Sequence, residues 1–143
     1  MKNNAIITIE GDLGSERVEG SCGILNGHFH IIYRSADLEN PGFYHVTRME
    51  IDRDAVTLKR RTYSPAEELA AELKMELKRE GTGTAEHSSH YGILKFLTRV
   101  LSFRVSDFEG SKATADFQYE LHSEGESSPA IKNRLHIKVD WKE

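Results

Sequence analysis

The sequence predicts an all-β fold, a single antiparallel up-and-down β-barrel of about 8–10 strands spanning residues 1–143. Three observations predict it. The dominant periodicity is two, the period of a strand with one buried and one wet face. Turn-forming residues punctuate the alternation at short intervals, so consecutive strands are joined as hairpins. The 143 residues suit one domain, with no internal repeat, low-complexity tract or linker to divide them. Many strands with short connections make a barrel or a sandwich. Long strands with hairpin connections favour the up-and-down barrel.

Each element can be justified in order. Ala5 to Glu10 forms a first short strand, and Val18, Gly20, Cys22 and Ile24 line one side of the second. Asn26-Gly27 follows, and both residues tolerate the positive φ that a tight hairpin requires. Phe29, Ile31 and Tyr33 define the inward face of the third strand. A loop at Asn40-Pro41-Gly42 leads into Phe43 to Ile51, and Asp52-Arg53-Asp54 turns into Val56-Thr57-Leu58-Lys59-Arg60. Residues 64–80 carry two patterns. Ser64, Pro65 and Glu67 read as a helix start, with an N-cap, a first-position proline and a capping box. A long helix would stack Glu68, Glu72, Glu76 and Glu80 four apart. Leu73, Met75 and Leu77 instead alternate with Glu72, Lys74, Glu76 and Lys78. A short helical turn near 64–70 and a strand at about 71–79 are therefore expected.

Residues 92–105 are rich in β-branched and aromatic side chains, which favours strand. Leu94, Phe96 and Val100 share one parity, whereas Leu101, Phe103 and Val105 share the other. The switch predicts a bulge near Val100. The last two strands alternate most plainly: Ala113, Ala115, Phe117, Tyr119 and Leu121 in one, and Asn133, Leu135, Ile137, Val139 and Trp141 in the other.

Composition narrows the function classes. Charged residues make up 29% and apolar residues 38%, a globular balance. A net charge of −4 argues against a DNA-binding protein, whose affinity rests on neutralising phosphates. The single cysteine, Cys22, excludes an intramolecular disulfide and a cysteine-based zinc site. Cys22 is in phase with core positions and is expected to be a small buried hydrophobe. The opening residues lack a signal-peptide pattern, and no apolar run approaches a membrane span. A cytoplasmic protein with no membrane association is expected.

Four stretches carry a resemblance: VTLKR at 56–60, HYGILKFLT at 90–98, FQYEL at 117–121 and NRLHI at 133–137. In their order and spacing the chain resembles the YwiB-like family of uncharacterised bacterial proteins. The positions that match are Arg60, Tyr91, Gly92, Thr98, Tyr119 and Asn133, with Tyr33 fitting the family's tyrosine-bearing third strand. The resemblance implies a calycin-type, lipocalin-like barrel and no particular activity. The chain departs from the pattern where Arg34 and Ser35 follow Tyr33, since acidic residues are implied there. The segment at 62–72 also looks expanded.

The candidate site is ligand-binding: Tyr33, Arg60 and Tyr119, three polar residues in phase with apolar inward neighbours. An arginine so placed needs anionic or hydrogen-bonding partners, because an unpaired buried charge is costly. Either the partner is a carboxylate or phosphate on a ligand, or Arg60 lies near the barrel end and pairs with a glutamate or carbonyl. The ligand reading expects the trio to line a cavity open at one end. No catalytic set, metal site or cofactor is expected. His28 and His30 oppose Phe29, Ile31 and Tyr33 and so face solvent. His87-Ser88-Ser89-His90 falls at a turn, and Glu80 to Thr84 lacks the lysine and helix of a phosphate loop. Lys132, Arg134, His136 and Lys138 form a basic stripe. It reads as a solvated face that blunts an edge strand, or as a surface for an acidic partner or RNA. The leading function is therefore binding of a small anionic or amphipathic molecule, not enzymatic. An interaction or scaffold module using its outer surface, as a homodimer or with a protein partner, is the alternative. An enzyme of unknown type ranks third.

Overall fold

The computed structural model describes residues 4–11, 14–106, 111–123 and 131–141. They form ten strands: β1 (Ala5–Gly11), β2 (Gly14–Leu25), β3 (His28–Ala36), β4 (Tyr44–Ile51), β5 (Ala55–Tyr63), β6 (Leu69–Lys78), β7 (Thr82–Ser89), β8 (Gly92–Val105), β9 (Lys112–Ser123) and β10 (Ile131–Trp141). Every strand pairs antiparallel with its sequence neighbour, and β1 pairs with β10 to close the barrel. The fold is thus the expected up-and-down barrel, at the upper end of the expected strand count.

Local chemistry explains the turns. Asn26 and Gly27 both take positive φ, 55° and 78°, and this mirror-image turn matches the twist of β2 and β3. Asp52 folds its own corner, its Oδ1 accepting from the amides of Asp54 (2.7 Å) and Ala55 (2.8 Å). The segment after β5 corrects an expectation: no helical turn forms at 64–70, and none of the described residues is helical. Ser64 Oγ does accept from the amides of Ala66 and Glu68, as a cap would. Glu67 then enters the left-handed region at φ 63°, and Ser64 N–H donates to the Glu68 carbonyl at 2.9 Å. Those two features close a hairpin loop instead of propagating a helix, and β6 begins at Leu69, before the expected start. The β8 bulge falls where the parity switch predicts it, between Val100 and Ser102, and turns Leu101 outward. The second strand's apolar face ends sooner than its parity suggests, because Ile24 is exposed beside the hairpin.

The inward side chains stack in rows that follow the register. Phe29, Ile51, Val56 and Leu77 form one row and Ile31, Met49, Leu58, Met75 and Ala85 the next, all buried. On the opposite wall Ile7, Ile9, Leu135, Ile137, Val139 and Phe117 are buried. Phe103 meets Phe117 edge-on at 4.8 Å and Phe29 packs on Trp141 at 5.3 Å. Full burial of each such side chain contributes about 1.5–3 kcal/mol. Cys22 is buried among them, and burial raises its thiol pKa.

The outer wall is charged and cross-paired. Arg61 and Lys74 flank Glu72 at 2.7 and 3.3 Å, and Lys78 meets Glu76 at 3.6 Å. The basic stripe of β10 lies there, but it does not blunt an edge. β10 is hydrogen-bonded on both sides, and Arg134 (3.2 Å) and His136 (3.7 Å) both approach Asp116.

Candidate functional site

The rows change character toward one end of the barrel. This end, the mouth, is where β3 passes to β4, β5 to β6 and β7 to β8. Above the Ile31–Met49–Leu58 row, strands β3, β4 and β5 present Tyr33, Thr47 and Arg60 in register. One further step out they present Ser35, His45 and Thr62. Adjacent strands stand about 4.8 Å apart and same-face residues about 6.8 Å apart along a strand. Six polar side chains therefore tile one wall of the mouth as two rungs of three.

Parity along β5 explains why Arg60 joins the inner face. Val56 and Leu58 reach the core and Arg60 is the next inward position. It lies high enough for its head to sit half-buried. Its Nε–H donates to Thr47 Oγ1 at 3.1 Å and an Nη2–H donates to Tyr33 Oη at 3.2 Å. Both partners are neutral. No carboxylate among the described residues lies within ion-pairing distance of Arg60. The bonds to Thr47 and Tyr33 aim the guanidinium but do not neutralise it. Two of its five N–H donors are used in this way, and the remaining three have no partner among the described residues.

The lower rung is rigid. Tyr33 is 2% exposed and Thr47 fully buried. Burial pushes the Tyr33 phenol pKa up, while Arg60 and the hydrogen bond to Thr47 act the other way and the Glu16 carboxylate adds to the rise. Tyr119 is also 2% exposed, but it belongs to the opposite wall, four strands from β5, in register with Asn133 on β10. Of the sequence-predicted trio, Tyr33 and Arg60 are thus in direct contact and Tyr119 faces them from across the barrel.

The upper rung was not anticipated. His45 Nδ1 bonds Thr62 Oγ1 at 2.7 Å, and its Nε2 lies 3.7 Å from Asp37 Oδ2. Burial and the nearby Arg60 charge hold the His45 pKa below its ordinary value, against opposing pulls from Asp37 and Glu16. Thr47 and His45 share the parity of Met49 and Ile51, and Glu16 that of Val18 and Gly20. Extending each apolar alternation by two or four residues would have found all three. At the position where an acid is implied by resemblance, Ser35 points inward, while Arg34 points out and lies 3.8 Å over the Tyr44 ring.

His87 has inward parity on β7, in the row of Arg60 and Leu73, whereas His28 and His30 do not join this site. His28 bonds Glu50 and approaches Asp52 at 3.8 Å, on the outer face as its parity requires. Among the described residues no group of three or more His, Cys, Asp or Glu side chains could hold a metal.

Two further features surround the mouth. Leu38, Leu69, Tyr91, Ile93, Leu94 and Ile131 are exposed apolar side chains at this end. Leu94 and Ile131 have inward parity yet are 60% and 50% exposed, so the wall is open to solvent here. A cleft of about 560 Å³ opens beside the mouth, lined by residues that include Phe43, Leu69, Ala71, Ser89 and His90. It contains none of Tyr33, Arg60 and Tyr119. Its carboxylates, Glu68 and Glu72, make it a poor seat for an anion, and the cations nearest Glu72 are already paired with it.

Compared with known proteins, the chain has a YwiB-like fold. It is similar to the crystal structure of the ywiB protein from Bacillus subtilis, with a TM-score of 0.67 and 14% sequence identity. The similarity covers 98% of this chain and 89% of that one. No protein-family model matches the chain, and no curated protein matches it.

Proposed function

We propose that this protein is a small-ligand-binding barrel, a divergent YwiB-like and calycin-type protein, that takes an anionic, amphipathic molecule at its mouth. The observation that carries this reading is Arg60: a half-buried guanidinium held by two neutral hydroxyls, with no partner for its other three donors and no carboxylate in contact among the described residues. Leaving a charge desolvated and unpaired is expensive, and a bound anion relieves it. The apolar rim supports an amphipathic ligand over a bare ion, since it offers surface to a hydrophobic body whose head reaches Arg60. Tyr33 orients the arginine, and Tyr119 packs the facing wall. The protein acts here as a binder and not as an enzyme.

The test is a fluorescence titration with 8-anilinonaphthalene-1-sulfonate, an amphipathic anion. Arg60→Gln removes the charge and leaves a polar side chain at the position. Losing a charge-assisted hydrogen bond weakens binding by roughly tenfold to a hundredfold. Equal affinity of the folded wild type and variant, or no binding by the wild type, would contradict the proposal.

The same rim favours a second reading, in which the mouth docks a second copy of the chain or another protein. Sedimentation analysis separates the two. A stable dimer that dissociates on Leu94→Lys and leaves the dye unbound supports docking.

A further inference from the structure

The upper rung bears on what the mouth binds. Ser35 is only 7% exposed, faces inward, and its Oγ is buried with no hydrogen-bond partner among the described residues. A buried hydroxyl left unsatisfied is unfavourable, and native structures rarely tolerate one. In register with it stands His45, and one rung below lies Arg60. A hydroxyl, an imidazole and a guanidinium thus occupy neighbouring register positions on one largely buried stretch of the mouth wall.

We infer that the mouth takes an oxyanion (a carboxylate, sulfonate or phosphate group) between Arg60 and the Ser35–His45 rung, and that His45 takes up a proton as the anion binds. This rests on the proposed ligand-binding role and adds two binding residues and a chemical rule to it. The oxyanion accepts from Arg60 and from Ser35 Oγ–H. Its charge offsets the arginine that otherwise opposes protonation of His45. Coupling is reciprocal: if the anion favours the imidazolium, the imidazolium favours the anion to the same degree.

The charged and titratable groups facing His45 are few. Asp37 approaches from the β3–β4 loop at 3.7 Å, Arg60 acts from β5, Glu16 from β2, and Tyr33 lies on β3. Asp37 is held below the usual carboxylate range by backbone and side-chain donors at residues 39 and 40. It therefore stays ionised while His45 titrates and supports the imidazolium. The Thr62 hydroxyl can donate to a bare Nδ1 or accept from Nδ1–H, so the bond can form in either charge state of His45. The ligand fitting this wall thus carries a charged oxygen-rich head, and its affinity rises as pH falls through the histidine range.

The dye titration above, repeated at about pH 8.0 and about pH 5.5, tests this, because its sulfonate keeps its charge across that range. Wild type is expected to bind about fivefold tighter at the lower pH. His45→Gln should bind with one affinity at both pH values, and Ser35→Ala should bind more weakly at both while keeping the ratio. Circular dichroism of each variant establishes that it is folded. Wild-type binding with no pH dependence overturns the inference, as does a ratio that survives His45→Gln. Failure of wild type to bind at either pH overturns the parent reading instead. As a second readout, the His45 ring resonances should shift toward the imidazolium position when dye is added near neutral pH. Unmoved resonances at saturating dye contradict proton uptake.

Discussion

Arg60 is placed by an alternation that runs two residues past the core. Val56 and Leu58 commit β5 to an inward parity, and nothing local releases the next inward position from it. The surroundings accept it because Thr47 and Tyr33 are positioned to receive its donors. His45 carries a separate consequence. Its pKa lies below the ordinary 6.5, so between that value and the folded pKa the unfolded chain holds more protons than the folded one. Stability from this residue is complete above pH 6.5 and declines as the solution is acidified through that window. His45→Gln removes the decline. Urea midpoints measured on both sides of the window should fall less in His45→Gln than in wild type, and equal falls would show that other groups dominate.

Among the elements, β7 is constrained by close approach at Gly83. Its ladder with β6 runs only from Ala71 to Met75, so the Glu76 carbonyl has no β7 partner. Thr98 on β8 reaches past β7 and donates its hydroxyl to that carbonyl at 2.6 Å. Gly83 makes the passage possible. A Cβ there would lie 2.3 Å from Glu76 O and 2.6 Å from Thr98 Oγ1, the first of which is backbone and cannot step aside. Gly83→Ala should cost about 1–3 kcal/mol by overpacking. Thr98→Val should cost a similar 1–3 kcal/mol by leaving the carbonyl unsatisfied. Chemical denaturation measures both, and a double mutant costing less than the sum would place the two residues in one interaction.

Across the whole molecule, the alternation that makes strands also sorts the barrel lengthwise. Apolar inward residues fill one end, and a polar wall with an apolar rim opens at the other. Most of the architecture was legible because period two reports both strand and facing. The Asn26-Gly27 turn and the Val100 bulge were legible from local chemistry. The barrel was expected, but the strand pair that closes it was not named, since β1 and β10 lie at opposite ends of the chain, and so the β10 stripe read as an edge. The loop at 64–68 was misread because its capping residues are those of a helix, and only the left-handed Glu67 turns them to a hairpin. Two of the six wall residues, Tyr33 and Arg60, were visible. Ser35, His45 and Thr47 escaped because small or titratable residues at the ends of strands carry no apolar signal. Only the register of three strands assembles them.

Nitrogen-edited NMR of the arginine side chains during addition of 8-anilinonaphthalene-1-sulfonate tests the central claim most directly. The account predicts a saturable shift of the Arg60 Nε–H resonance, with the amides of Ser35 and Thr47 moving at the same ligand concentration. Shifts confined to the outer basic stripe of β10 or to the cleft at Leu69 and His90, with Arg60 unmoved, would contradict it.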